Sequence, residues 1–166
     1  MFSGQRVDPG TVELLRGAPP LPPAGDLLDL GCGYGPIAVT MAQRSPAATV
    51  WAIDINQRAL ALTAENASRL GLSNIRAVPP EGVSPDIRFA AIWSNPPIKV
   101  GKEPLHRLLR DWLGRLAPDG EAHLVVHKHL GGDSLADWLT AEGHATTRIG
   151  SRKGYRLLAV RPMKPR

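Results

Sequence analysis

The segment Ser94-Asn95-Pro96-Pro97-Ile98 sets an amide side chain and a proline pair directly behind an apolar run that reads as a buried strand. Consecutive prolines fix the backbone just past a strand end, where α/β sheets carry their catalytic groups. A nitrogen whose lone pair is delocalised, such as an amide or a base amine, is a poor nucleophile until that pair is redirected. The side-chain oxygen of Asn95 and the carbonyl of Pro96 are two neutral acceptors, and Pro97 and Ile98 complete the candidate catalytic turn. Accepting both N–H bonds of such a nitrogen leaves its lone pair aimed at an electrophilic carbon. Catalysis of this kind rests on orientation and preorganised dipoles, with no strong general base. An isolated Asn-Pro-Pro reads more simply as a stiffened loop. The chemical reading requires a second feature in register on the same sheet.

That feature is Leu27-Leu28-Asp29-Leu30-Gly31-Cys32-Gly33-Tyr34-Gly35-Pro36, a buried strand that runs through three glycines into a helix start. Alternate glycines let a backbone turn tightly and approach a ligand closely. A dinucleotide enzyme prefers G-x-G-x-x-G, which seats a pyrophosphate on the helix N-terminus. Gly31, Gly33 and Gly35 followed by Pro36 fail that spacing. Asp29, two residues ahead of the first glycine, suits a cofactor that carries an ammonium and a sulfonium. The cofactor-binding candidates are therefore Asp29, Gly31, Cys32, Gly33, Tyr34 and Gly35, together with residues after the next two strands. Asp54 is placed to accept both ribose hydroxyls and Ile55 to cover an adenine face, while Asn56 is the better helix N-cap. Glu81 can accept from the adenine amino group, although a plain turn serves nearly as well there.

Stepping from strand to helix and back, the hydrophobic pattern supplies the elements that carry these groups. Thr11 is expected to cap a short helix over Val12–Leu15, ahead of a proline-rich connector from Gly17 to Gly25. Strands are predicted at Asp26–Leu30, Thr49–Ile53, Asn74–Val78, Phe89–Ser94 and Ala122–His127, and helices from Pro36 and through Ala59–Leu70. Leu105, Leu108, Leu109, Trp112 and Leu116 form a helical stripe that Pro118-Asp119-Gly120 ends. Leu135, Trp138 and Leu139 mark a further helix. Thr146–Ile149 and Tyr155–Val160 form a closing hairpin around Ser151–Gly154. Alternation of this kind predicts an open, mostly parallel sheet with helices on both faces and an antiparallel strand late. One domain is expected over residues 1–166, with an N-terminal segment and connector to residue 25 and the core from residue 26.

Composition narrows the partners. The 166 residues carry a formal charge of +5, with Arg148, Arg152, Lys153, Arg156, Arg161, Lys164 and Arg166 clustered without an acid near the C-terminus. A second group, Lys99, Lys102, Arg107, Arg110 and Arg115, follows Pro97. Clusters of this kind suit phosphate contacts, and a solvated basic surface fits them equally. Apolar runs fall short of the roughly 20 residues of a membrane span. One cysteine, Cys32, excludes an internal disulfide framework and points to a reducing compartment, the cytoplasm. His123, His127 and His129 fall on one face of a strand, but they lie too far apart along it to share a metal, so no metal is expected. The four tryptophans, Trp51, Trp93, Trp112 and Trp138, read as core.

Asp29–Gly35, Asp54 and Asn95-Pro96-Pro97-Ile98 resemble the class I amino-methyltransferases. The chain is similar, more narrowly, to the short members of the RsmC-type 16S rRNA guanine-N2 methyltransferase family. Phe2-Ser3 with Asp8, Gly10 and Thr11 resembles that family's N-terminal motif, and Gly101-Lys102, His106, Lys128, Gly131 and Gly154-Tyr155-Arg156 extend the match. The resemblance implies a Rossmann-like seven-stranded sheet and S-adenosyl-L-methionine as donor. It also implies guanine N2 of small-subunit ribosomal RNA as acceptor, with Phe2, Lys99, Lys102, Arg152, Lys153 and Arg156 as RNA-binding candidates. Ile98 stands where many Asn-Pro-Pro enzymes carry an aromatic ring, which shifts base stacking to Phe2 or Tyr34. The chain opens directly on the N-terminal motif, so either the docking module of longer members is absent or the sequence starts late. Two alternatives remain open: a methyltransferase of protein glutamine or a small amine, and a non-catalytic RNA-binding assembly factor with the same fold.

Overall fold

Neighbouring residues of the central strands are apolar and face opposite ways, which commits the chain to a sheet covered on both sides. The computed structural model describes residues 6–164. Four parallel strands come first: β1 (Ala24–Leu30), β2 (Ala47–Ile53), β3 (Ile75–Val78) and β4 (Phe89–Ser94). β5 (Leu116–His127) runs parallel to β4, and β7 (Tyr155–Met163) runs antiparallel between β5 and β6 (His144–Arg152). The sheet order is β3-β2-β1-β4-β5-β7-β6. Helices α1 (Pro9–Gly17), α2 (Pro36–Arg44), α3 (Gln57–Arg69), α4 (Lys102–Leu113) and α5 (Gly132–Ala141) cover it.

Leu28, Ile92, Leu124 and Leu158 pack with Leu105, Leu109 and Trp112 of α4 and with Leu135 and Leu139 of α5. One step away in the same strands, Leu27, Trp93, Val125 and Leu157 pack with Leu14 of α1 and with Ile37 and Met41 of α2. Chain order reverses at β1, with β2 on one side and β4 on the other. Ligands of open parallel sheets bind in the crevice beyond such a reversal, at the carboxyl ends of the strands.

Local departures from the sequence reading have physical causes. α1 begins at Pro9, and its cap is Asp8, whose side chain accepts from Gly10 N and Thr11 N, instead of Thr11. Proline at the first helical position gives up no hydrogen bond, and Asp is among the strongest caps. β1 starts at Ala24, inside the expected connector, because Ala24 pairs with Ala47 of β2. α4 stops at Leu113, and Leu116 opens β5 opposite Phe89. Leu116 fits both periods, and pairing with β4 decides between them. Pro118-Asp119-Gly120 is accordingly an irregularity within β5, where the register against β4 shifts between Phe89 and Ala91. The closing turn has Lys153 at φ 53 and Gly154 at φ 83, the left-handed pair that a two-residue hairpin demands.

Gly120 makes that irregularity possible, since a Cβ there would stand 2.6 Å from the Phe89 carbonyl oxygen and 3.1 Å from that of Ala117. Gly120→Ala is expected to destabilise the fold by about 1–3 kcal/mol, the scale of forced overpacking. Denaturant unfolding checks it, and an unchanged midpoint would mean that β5 shifts freely against β4.

Candidate active site

The end of β2 holds the glycine loop. Gly31 N and Cys32 N both donate to the Ile53 carbonyl, at 3.0 and 2.9 Å. Asp54 Oδ2 accepts from Gly33 N at 3.0 Å, and its Oδ1 accepts from Asn56 N at 2.9 Å. Asn56 caps α3 through bonds from Arg58 N and Ala59 N, as the sequence predicts. Gly31 and Gly33 have φ of 77 and 56, and a Cβ at either would meet nothing within 4 Å. Their faces are open to a ligand. Gly35 differs: a Cβ there would lie 3.0 Å from the Thr63 side chain.

α3 contributes two residues that periodicity alone did not single out. Thr63, fully buried, donates through Oγ1 to the Gly33 carbonyl at 2.9 Å, and Asn66 Nδ2 donates to the Tyr34 carbonyl at 2.8 Å. Polar residues on the buried face of a helix were the available signal, because such groups need partners.

Asp29 is fully buried behind the loop and does not line the cavity in front of it. Its Oδ2 accepts from Ala38 N in the first turn of α2 at 2.9 Å, supplying the side-chain cap that Gly35 lacks. Its Oδ1 is buried with no partner among the described residues. Burial pushes the Asp29 carboxyl up to about 8; the Ala38 N–H pulls it down, and the nearby charge of Asp54 adds to the rise. Cys32 is buried, and burial pushes its thiol up to about 12, so it is no nucleophile at neutral pH.

The Asn-Pro-Pro turn follows β4. Ser94, fully buried, donates through Oγ to the Leu30 carbonyl at 2.8 Å and ties the ends of β4 and β1 together. Asn95 Nδ2 donates to Asp8 Oδ2 at 2.8 Å and to Thr11 Oγ1 at 3.2 Å. The amide nitrogen is thereby committed to α1, and Oδ1 has no partner among the described residues. The Pro96 carbonyl, expected as the second acceptor, takes Ile98 N–H at 2.9 Å in a tight turn and is partly engaged.

A cavity of about 480 Å³ lies at the reversal, within the usual size of small-molecule sites. Gly31, Gly33, Asp54, Ile55 and Asn95 line it together, joined by Pro80, Pro97 and an apolar wall of Val100, Pro104 and Leu108. Ile55 is 89% exposed, an apolar side chain held out over this opening. Glu81 is exposed and is not part of the lining. Ile98 is half-buried and faces a neighbouring groove with Lys102, His106 and Leu130. Tyr34 O–H donates to the Arg6 carbonyl at 2.9 Å. Phe2 lies outside the described residues.

The basic candidates separate by environment. Lys99, Lys102 and Lys153 are exposed, as is Arg152, which also pairs with Glu13 at 3.9 Å. Arg156 is only 16% exposed in its side chain and pairs with Asp133 at 3.3 Å. The three histidines do not share a strand face: His129 lies in the short turn after β5, and His123 is buried against Glu121 at 2.8 Å. Trp93 and Trp112 are core, whereas Trp51 and Trp138 are half-buried, Trp138 stacked on His106 at 3.7 Å. Among the described residues no helix is long and apolar enough to cross a membrane.

The methyltransferase small domain family model matches residues 1–159. The uncharacterized protein YbxB of Bacillus subtilis is 31% identical over 97% of this chain and 82% of its own length. Ribosomal RNA small subunit methyltransferase C of Hahella chejuensis is 35% identical over 85% of this chain, which spans only 41% of that relative. Among solved structures, the T. thermophilus 16S rRNA N2 methyltransferase RsmC, in complex with AdoMet and guanosine, has a TM-score of 0.77 at 24% identity. The match covers 96% of this chain and 44% of that one. A methyltransferase from Pyrococcus furiosus follows at TM-score 0.72 and 19% identity, covering 93% and 82% of the two chains.

Asp29 makes the site's electrostatics testable. A carboxyl that ionises near 3.8 in an open chain and near 8 in the fold makes folding less favourable as pH rises between those values, because the unfolded chain releases its proton first. Asp29→Asn keeps an acceptor for Ala38 N and removes the titration. The variant is expected to gain stability over the wild type progressively from about pH 5 to pH 8. Unfolding curves across that range check it; a constant difference would mean that Asp29 is ionised throughout.

Proposed function

Because the chain belongs to the methyltransferase small domain family, we propose that it transfers a methyl group from S-adenosyl-L-methionine to an exocyclic amine, guanine N2 of small-subunit ribosomal RNA. The observation that carries this reading is the fixed polarity of Asn95. Its amide nitrogen is held by Asp8 and Thr11, which leaves an acceptor oxygen on a residue that lines the same cavity as Asp54 and the glycine loop.

The residues present fit the cofactor. Gly31 and Gly33 leave space that a Cβ would fill, Asp54 offers further lone pairs for ribose hydroxyls, and Ile55 and the Val100–Leu108 wall suit an adenine. Asp54, which lines the cavity and has no ion pair among the described residues, suits a cationic ligand. A dinucleotide fits poorly: Pro36 has no N–H, and the Ala38 N–H at the N-terminus of α2 is already taken by Asp29. The bound cofactor supplies a methyl group on a positively charged sulfur.

The chain's own residues do the rest by positioning. Asn95 Oδ1 accepts an N–H of the acceptor amine and turns its lone pair toward the cofactor side of the cavity. Pro97, Val100 and Leu108 give that space an apolar wall. No general base is needed, because the methylated amine sheds its proton readily once positively charged. Lys99 and Lys102 beside the turn, with Arg152 and Lys153 at the hairpin, are the proposed contacts to RNA phosphates; Arg156 supports the hairpin through Asp133. The names of the relatives support ribosomal RNA as the substrate class.

Two variants test this. Asp54→Ala is expected to weaken S-adenosylhomocysteine binding in calorimetry by about 1.5–3 kcal/mol for each charged hydrogen bond lost. Asn95→Ala is expected to leave that affinity nearly intact while single-turnover methyl transfer falls by about 10²–10³-fold. Labelled cofactor offered in parallel to 30S subunits, naked ribosomal RNA and total protein identifies the acceptor. Label in protein alone would replace RNA with a side-chain amide, and full activity in folded Asn95→Ala would remove the turn from the chemistry.

A further inference from the structure

Asp8 and Asn95 are 87 residues apart in sequence and in direct contact. A single oxygen, Asp8 Oδ2, accepts from Gly10 N at 2.8 Å, from Thr11 N at 3.3 Å and from Asn95 Nδ2 at 2.8 Å. The other amide hydrogen of Asn95 is met by Thr11 Oγ1 at 3.2 Å. Gly10 gives these groups room: a Cβ there would stand 3.0 Å from Asp8 Oδ2, 3.0 Å from Tyr155 Cε1 and 3.3 Å from Asn95 Nδ2. Capping α1 accounts for the two backbone bonds. It does not account for the third, which reaches out of the helix to the transfer turn.

We propose that Asp8, assisted by Thr11, is a positioning residue for methyl transfer that locks the Asn95 amide with its oxygen presented to the acceptor. The proposal rests on the reading of Asn95 as the group that receives the acceptor amine. Carboxylate oxygens are acceptors, so Asp8 pairs with Nδ2, and a flipped amide would set two oxygens against each other. Bonds to a charged acceptor are roughly twice as strong as neutral ones. Donation from Nδ2 polarises the amide and makes Oδ1 a better acceptor, by about 10–30% per bond. In a reaction driven by orientation, freeing this amide removes the preorganisation itself, and misplacements of about 1 Å cost on the order of 10²-fold.

The test separates the cap from the lock. Asp8→Ser keeps a cap oxygen but is one bond too short for Asn95; Asp8→Asn keeps both reach and an acceptor oxygen and gives up the charge. Four readouts apply to the same preparations: hydrogen exchange of the Asn95 side-chain amide by NMR, thermal melting, S-adenosylhomocysteine affinity, and single-turnover transfer to 30S subunits. Expected in Asp8→Ser are a deprotected Asn95 amide, melting and affinity near wild type, and a transfer rate down by roughly 10–100-fold. Asp8→Asn should recover most of that rate, and Asp8→Ser should add little further loss to Asn95→Ala, since both act through one group. Asp8→Ser that frees the amide yet turns over at the wild-type rate overturns the proposal, as does a full additional loss in the double variant. If Asp8→Ser does not fold, Thr11→Val removes only the Oγ1 acceptor and should lower the rate by about 2–10-fold; an unchanged rate there counts against the lock. A wild-type protein with a protected amide and no transfer to any substrate overturns the methyltransferase reading instead, and the positioning role falls with it.

Discussion

The carbonyl of Ile53 and the carboxylate of Asp54 close the end of β2, and the geometry of the site depends on what they accept. Three consecutive loop N–H groups, from Gly31, Cys32 and Gly33, donate to these two residues. A loop with glycines at positive φ has left both the strand ladder and the helix, so its N–H groups need partners that secondary structure does not supply. Taking all three from β2 fixes the loop against the neighbouring strand and turns the open faces of Gly31 and Gly33 toward the cavity. Asp54 therefore cannot be only a ligand contact. It shapes the loop with one set of lone pairs and offers the others to the cavity.

Asp29 shows the cost of that arrangement. A carboxyl without exposure and with one oxygen unpartnered is unfavourable when charged, which is why it is pushed up to about 8. A cation nearby would lower the carboxyl again, and the same interaction viewed from the other side favours cationic ligands over anionic ones. The N-terminus of α2, elsewhere a natural phosphate seat, is here filled by the protein's own carboxylate. One buried acid thus caps a helix from behind the loop, and its ionisation is tied to the charge around it.

Much of this was legible in the residues. Strand β4 and the start of α2 fall where the pattern places them, since a buried apolar run and a proline at a helix start leave little choice. The meeting of Asp54, the glycines and Asn95 at one cavity follows from the strand ends that carry them. What local patterning did not reveal was long-range partnership. Leu116 has the helical spacing, and only its pairing with Phe89 makes it a strand residue. Asp29 was read as a ligand contact because its spacing before Gly31 is visible, whereas its bond to Ala38 requires the fold. The bonds from Thr63 and Asn66 to the loop are invisible for the same reason. Arg156 looked like its basic neighbours until Asp133, 23 residues away, was brought beside it.

The site is assembled from segments on both sides of the sheet's reversal, and its two halves are fastened to different elements. The glycine-loop half is held from β2 and α3, by loop N–H groups on the Ile53 carbonyl and the Asp54 carboxylate and by Thr63 and Asn66 on loop carbonyls. The transfer half is held by side chains: Ser94 to the Leu30 carbonyl beneath the turn, and Asn95 to α1 above it. Side-chain bonds are individually replaceable without dismantling the sheet, so the orientation of the Asn95 amide can be changed while the glycine loop stays in place. The proposed chemistry calls for neither a metal nor a general base, and on that proposal rate is set by how narrowly the orientation is defined. The exposed Asp8 and the buried Ser94 constrain the turn from opposite sides. The first helix, which lies over β5 and β7 and contributes no residue to the cavity wall, is in this sense part of the transfer turn.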